Sequence, residues 1–172
     1  IAAQKGHTET VSVLAGLGAC VKTAMNDGAT PVFIAAQEGH TETVRLLAEL
    51  GACVKTPDND GATPVYIAAQ EGHTETVRVL AELGACVKTP DNDGATPVYI
   101  AAQEGHAETG RVLAELGACV KTPVNDGATP VFIAAPKRHT ETVRLLAELG
   151  ALGATAVDDG ATPRALRATT MH

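Results

Sequence analysis

Apolar residues along this chain fall into pairs of short stripes at helical spacing, each pair followed by a polar, turn-forming stretch. In residues 27–59 the first stripe is Val32, Ala35 and Ala36, at i, i+3 and i+4. The second is Val44, Leu47 and Ala48, with Leu46 and Leu50 beside it. Thr30-Pro31 reads as an N-cap followed by proline at the first helical position, where the missing N–H has no partner to lose. Gly39 and Gly51 end the two stripes, where the chain must turn through φ > 0. The pattern predicts two short antiparallel helices, the second from about Thr41 to Leu50. Glu42, Arg45 and Glu49 take its opposite face at spacings of three and four, and read as solvated ion pairs worth a few tenths of a kcal/mol each. Pro57 to Gly61 is turn chemistry.

The whole pattern recurs. Asp-Gly-Ala-Thr-Pro begins at Asp27, Asp60, Asp93, Asp126 and Asp159, always 33 residues apart. A fixed period of that length marks a repeat array. Each helix pair has an apolar face that nothing within its own repeat can cover, so the units must stack on one another. The chain divides as a single array over 1–172: a partial unit 1–26, near-identical units 27–59, 60–92 and 93–125, a degenerate unit 126–158, and a partial capping helix over 159–172. Ile1 falls in the middle of a unit, which reads as a piece of a longer protein.

Asp60-Gly61-Ala62-Thr63-Pro64, Ala68-Ala69, Gly72-His73 and Leu83-Gly84-Ala85 stand in phase within the period. In these motifs the chain resembles the ankyrin-repeat family, over essentially its whole length. The resemblance implies an all-α, helix-turn-helix repeat solenoid with projecting hairpin loops, curved, and binding other proteins through the hairpin tips and the concave face lined by first helices. Two departures stand out. The family's histidine two residues after the proline is replaced by Phe33, Tyr66, Tyr99 and Phe132, which removes a brace from the helix start. Its Asp-Val-Asn is replaced by Cys53-Val54-Lys55 and the copies of that triplet.

Composition narrows the function. Hydrophobic residues are 45% but aromatics only 2%, so the core is built from small side chains and suits close helix packing rather than an aromatic-walled ligand cavity. The net charge of −7 is concentrated in the near-identical middle units, a poor match for phosphate backbones, and nucleic acid is not expected as a partner. No apolar run approaches a membrane span.

Cys20, Cys53, Cys86 and Cys119 share one repeat position. They read either as redox or metal chemistry or, the preferred reading, as small apolar fillers. Stacked repeats lie roughly 8–10 Å apart, too far for disulfides between equivalent positions. Unpaired thiols point to a reducing, intracellular setting, so a cytoplasmic location is expected. His7, His40, His73, His106 and His139 recur once per unit, with His172 at the tail. A metal needs ligands that converge, which a ladder one repeat apart does not supply, so the histidines read as braces of the inter-helix turn. No phosphate loop or nucleophile elbow is present, and Ser12 is the only serine. No enzyme activity, cofactor or metal is expected.

Candidate partner-binding positions lie at the ends of the first helices and on the hairpins. Glu38, Glu71 and Glu104, preceded by Gln37, Gln70 and Gln103, are bracketed by Lys5 and Lys137. They read either as a stripe selecting an extended basic segment or as ordinary solvated charges. Asn59, Asp60, Ala62, Asn92, Asp93 and Ala95 mark the hairpin tips. Tyr66 and Tyr99 are contact candidates because aromatics dominate interface hot spots, against a plainer role in packing first helices together. The expected function is a protein-interaction module, monomeric in isolation. The rival readings are a spacer or elastic array without a partner, or the regulatory arm of a larger enzyme or channel.

The units are so alike that their differences carry information. Units 27–59 and 60–92 differ only at Phe33/Tyr66 and Leu46/Val79; unit 93–125 departs further at Ala107, Gly110 and Val124. Gly110 removes a core valine, Pro136 removes a backbone donor, and Arg138 replaces the helix-ending glycine, so that a bulky residue faces φ > 0. Arg164 stands where earlier copies carry valine, as an outer polar face would. Unit 126–158 is therefore expected to fray first.

Overall fold

The computed structural model describes residues 1–151. The expected capping helix over 159–172, with Arg164 and His172, lies outside the described residues. Within them all regular secondary structure is helical, joined by turns and hairpin loops. The helices are α1 (Thr8–Gly16), α2 (Pro31–Gln37), α3 (Thr41–Glu49), α4 (Pro64–Gln70), α5 (Thr74–Glu82), α6 (Pro97–Glu104), α7 (Ala107–Glu115), α8 (Pro130–Ala134) and α9 (Thr140–Glu148). First helices pack in one row, α2 on α4, α4 on α6 and α6 on α8. Second helices pack in another, α1 on α3 and onward to α9, and each first helix pairs with its own second helix.

The first helices start as their sequences dictate. Thr30, Thr63 and Thr96 sit in extended conformation, and their hydroxyls accept from the backbone N–H of Phe33, Tyr66 and Tyr99 at 3.2–3.3 Å. The cap survives the loss of the family's histidine brace. Alanines at 35/36, 68/69 and 101/102 are buried and let the rows approach closely, while Leu47, Leu80, Leu113 and Leu146 fill the space between rows.

Adjacent units are joined by three side-chain hydrogen-bond ladders, each about one repeat in pitch. On the hairpins, the Asn59 side-chain amide donates to the Asn26 carbonyl, Asn92 to Asn59 and Asn125 to Asn92, at 3.0–3.3 Å. At the inter-helix turns, Nε2 of His40, His73 and His139 lies 2.9–3.0 Å from the carbonyls of Gln4, Gln37 and Gln103. A carbonyl only accepts, so Nε2 carries the proton. On the second helices, threonine hydroxyls pair between units, Thr8 with Thr43, Thr41 with Thr76 and Thr74 with Thr109, at 2.8–2.9 Å.

The histidines thus brace the turns as expected, but across units rather than within one. The outer charges differ in the same sense. Arg45 pairs with Glu82 at 3.1 Å and Arg78 with Glu115 at 3.8 Å, both in the next unit, whereas Arg111–Glu108 and Arg144–Glu141 stay within their own helices. Stacking brings the next helix's glutamate within reach of a long arginine side chain, which single-helix spacing does not reveal.

The fourth unit carries the expected damage. Its first helix α8 has five residues where its counterparts have seven or eight, and Thr129 makes no side-chain cap. Arg138 is held at φ +61°, a left-handed value that costs an L-residue roughly 1 kcal/mol or more. Thr142 Oγ1 is buried without a partner, because the residue that should meet it is Ala107 instead of threonine. Amides of 126–151 are expected to exchange with deuterium at least tenfold faster than those of 60–92. Equal protection in the two segments would contradict this.

Candidate functional site

The predicted contact residues do not form one uniform stripe. Five of them, Tyr66, Asp93, Ala95, Tyr99 and Gln103, meet at an open depression of about 410 Å³ between the hairpins and α6. Asp91, Ile100, Val124, Asn125 and Asp126 complete its lining and were not among the contact residues expected from the sequence. The two additional aspartates stand in the turn chemistry before Gly94 and Gly127, where their local role hides any other. Asp91 Oδ1 accepts from the N–H of Asp93 at 3.0 Å and of Ala95 at 2.8 Å; Asp126 Oδ1 accepts from that of Ala128 at 2.9 Å. These turns hold one oxygen of each carboxylate in place and fix the carboxylates at the depression's edge.

Burial corrects several expectations. Ala62 and Ala95 are buried beneath the hairpins instead of standing at their tips. The exposed Asn59 and Asn92 spend their side-chain amides on the ladder that joins hairpins, leaving Asp60 and Asp93 as the exposed tip groups. Tyr66 and Tyr99 are each only 7% exposed and pack in the row of first helices, while Phe132 at the same position of the fourth unit is 52% exposed. The packing role suggested for this ladder therefore holds for the two tyrosines, which reach a partner only through their edges. Burial, followed by the neighbouring Asp91 carboxylate, pushes the Tyr66 phenol up; burial, followed by the charge of Asp126, raises Tyr99. Both hydroxyls stay protonated and neutral well beyond neutral pH.

Glu38, Glu71 and Glu104 are exposed at the C-terminal ends of α2, α4 and α6, with Gln37, Gln70 and Gln103 half-buried beside them. Glu104 is the most engaged. Gln103 donates to it at 3.0 Å and Lys137 lies 3.4 Å away, and the two hold its carboxyl below the usual range, Gln103 first. Lys137 thus closes the acidic row by pairing with its last member.

The cysteines do not fill the core: Cys20, Cys53, Cys86 and Cys119 are all exposed and free. Their position falls on the stretch after the second helix, outside both rows, where no neighbouring helix covers it. The hydroxyl of the threonine three residues on, then the backbone amide of the intervening lysine, lowers each thiol below its ordinary value. Among the described residues, no group of three or more His, Cys, Asp or Glu converges to hold a metal, and no helix is long and apolar enough to cross a membrane.

A family model described as ankyrin repeats (3 copies) matches residues 1–91 and 87–157. No curated protein matches the chain significantly. Ankyrin repeats are in general protein–protein interaction modules. The stacked helix pairs, the hairpins joined edge to edge and the family match agree: this chain belongs to the ankyrin-repeat family.

Proposed function

We propose that this array is a non-catalytic interaction module that binds an extended basic segment of another protein along the hairpin and first-helix side. The carrying observation is the placement of Glu38, Glu71 and Glu104. Each ends a first helix, at the negative end of the helix dipole, where a carboxylate is unfavourable for the helix itself. Helix stability does not explain acids at all three places; complementarity to a cation does. Asp91, Asp93 and Asp126 add negative charge on the same side. Such a field raises the association rate and selects partners more than it raises affinity. The free, exposed thiols support work in a reducing compartment, consistent with an intracellular array that acts as a monomer.

The test is the triple variant Glu38→Lys, Glu71→Lys and Glu104→Lys, titrated with a lysine- and arginine-rich peptide at physiological salt. Affinity is expected to fall at least tenfold, with a shallower salt dependence. Unchanged binding removes the reading. The three inter-repeat ladders favour a second one, an array that sets distance without capturing anything. Tolerance of the charge reversal, combined with sensitivity of the host protein's function to repeat number, would select it.

A further inference from the structure

We infer that Asp60 and Asp93 are sites of spontaneous conversion to isoaspartate, a modification that breaks the joint between hairpins on which it occurs. The reaction needs no partner, so it stands whether or not a basic segment binds the array.

The described hairpin tips all carry an exposed aspartate followed by glycine: Asp27-Gly28, Asp60-Gly61, Asp93-Gly94 and Asp126-Gly127. In such a dipeptide the glycine nitrogen attacks Cγ of the aspartic side chain. The new C–N bond closes a succinimide ring, and the side-chain oxygen leaves as water. Glycine favours this step because no Cβ crowds the nitrogen. Water then opens the ring at either carbonyl. Opening at the former main-chain carbonyl leaves the chain running through Cγ, one methylene longer, with that carbonyl now a free carboxylate. The water lost is regained, and nothing is oxidised or reduced.

The tips differ in how freely the aspartate can move. Oδ1 of Asp27 and Asp126 accepts from the N–H of Ala29 and Ala128 at 3.0 and 2.9 Å. In the two middle tips an aspartate two residues earlier makes that bond. Asp58 accepts from the N–H of Asp60 and Ala62 at 3.0 and 2.9 Å, and Asp91 from those of Asp93 and Ala95 at 3.0 and 2.8 Å. Asp60 and Asp93 keep no side-chain hydrogen bond among the described residues. The cause is in the sequence, where Met25 and Val124 stand in place of Asp58 and Asp91. The attacking nitrogens are also held less closely. Gly61 and Gly94 donate to the Asp58 and Asp91 carbonyls at 3.2 and 3.1 Å, against 3.0 and 2.9 Å for Gly28 and Gly127 to those of Met25 and Val124.

The product disturbs the stack at its hairpin edge. The main-chain carbonyl of Asp60 accepts from Asn92 N–H at 2.9 Å, and that of Asp93 from Asn125 N–H at 3.0 Å. Isoaspartate takes this very carbonyl off the main chain. A longer backbone has no slack to occupy, since a Cβ on Gly61 or Gly94 would already lie 2.6 Å from Oδ1 of Asn92 or Asn125.

The test ages the whole protein at neutral pH in heavy-oxygen water. Trypsin then places the tips in peptides 23–45, 56–78, 89–111 and 122–137, each of distinct sequence. Heavy oxygen enters where a succinimide has opened, and electron-transfer fragmentation tells isoaspartate from aspartate. Isoaspartate is expected in 56–78 and 89–111 about fivefold faster than in 23–45, the factor for one hydrogen bond that must first break. Asp126 stays out of the ranking because its unit frays. Met25→Asp should free Asp27 and raise its rate to that of Asp60. Asp58→Met should tie Asp60 down and lower its rate to that of Asp27. Both variants use residues the array already carries at that position. In the protein modified at Asp60, the Asn92 amide should exchange with deuterium about fivefold faster.

Equal rates at Asp27 and Asp60, or rates that neither substitution moves, overturn the assignment of the two sites. Unchanged exchange at Asn92 overturns the broken joint. Neither result touches the glutamate stripe, which the peptide titration tests separately.

Discussion

Gly39→Ala is expected to destabilise the array by about 3 kcal/mol, although it adds one methyl group. Two terms combine. Gly39 sits at φ +72°, where an L-residue is strained by roughly 1–2 kcal/mol. A Cβ there would also lie 2.7 Å from Nδ1 of His73, in the next unit. The His73 ring is fixed at its far side by the 3.0 Å bond to the Gln37 carbonyl, so it can yield only by giving up that bond. Overpacking of this kind adds roughly 1–3 kcal/mol.

Gly84→Ala is the internal control. Gly84 has φ +86° but no heavy atom within 4 Å of the added Cβ, so only the backbone strain of roughly 1–2 kcal/mol remains. Urea midpoints of the two variants measure the difference. In a His73→Ala background the cost of Gly39→Ala should fall to that of Gly84→Ala. If the two glycines respond equally, or His73→Ala changes nothing, the ring is not the obstacle.

The second large effect runs the other way. Repairing the third unit with Ala107→Thr and Gly110→Val is expected to raise stability by about 3 kcal/mol in total. A threonine at 107 faces the buried, unpartnered Thr142 hydroxyl and restores the bond made at 41–76 and 74–109, worth about 1 kcal/mol. At Gly110 a Cβ meets only Leu145 Cδ2 at 3.8 Å, an ordinary contact, and φ is not in the left-handed region. Removing a glycine from a helix interior and burying a valine together contribute about 2 kcal/mol. The counterparts Val44 and Val77 are fully buried, so the site has accommodated this side chain elsewhere in the same array.

The two substitutions lie three residues apart on α7 and face α9, so some coupling is expected. A urea midpoint that does not rise in Ala107→Thr would mean that the Thr142 hydroxyl is already satisfied. A fall in Gly110→Val would mean that neighbouring side chains have closed the space.

These predictions depend on contacts of two different kinds, and the sequence discloses them unequally. Helix starts at Thr30-Pro31 and its copies, the stops at Gly39 and Gly51, the stacking demanded by an uncovered apolar face, and the strained Arg138 were all legible, because each is decided within one turn of chain by capping, φ preference or side-chain period. The 33-residue period did the rest for the fold. Of the candidate site, the glutamates and glutamines were placed at the helix ends they occupy, and five predicted residues meet at one depression.

Only the stacked structure decided which side chains meet across units. It set the histidines over the turn glycine of the preceding unit, paired the threonines, turned Arg45 to Glu82, buried Tyr66 and Tyr99, and left the cysteines outside the core. Residues some 33–37 positions apart are neighbours only after two units dock. The offset between them is set by the geometry of helix packing, which no local pattern encodes.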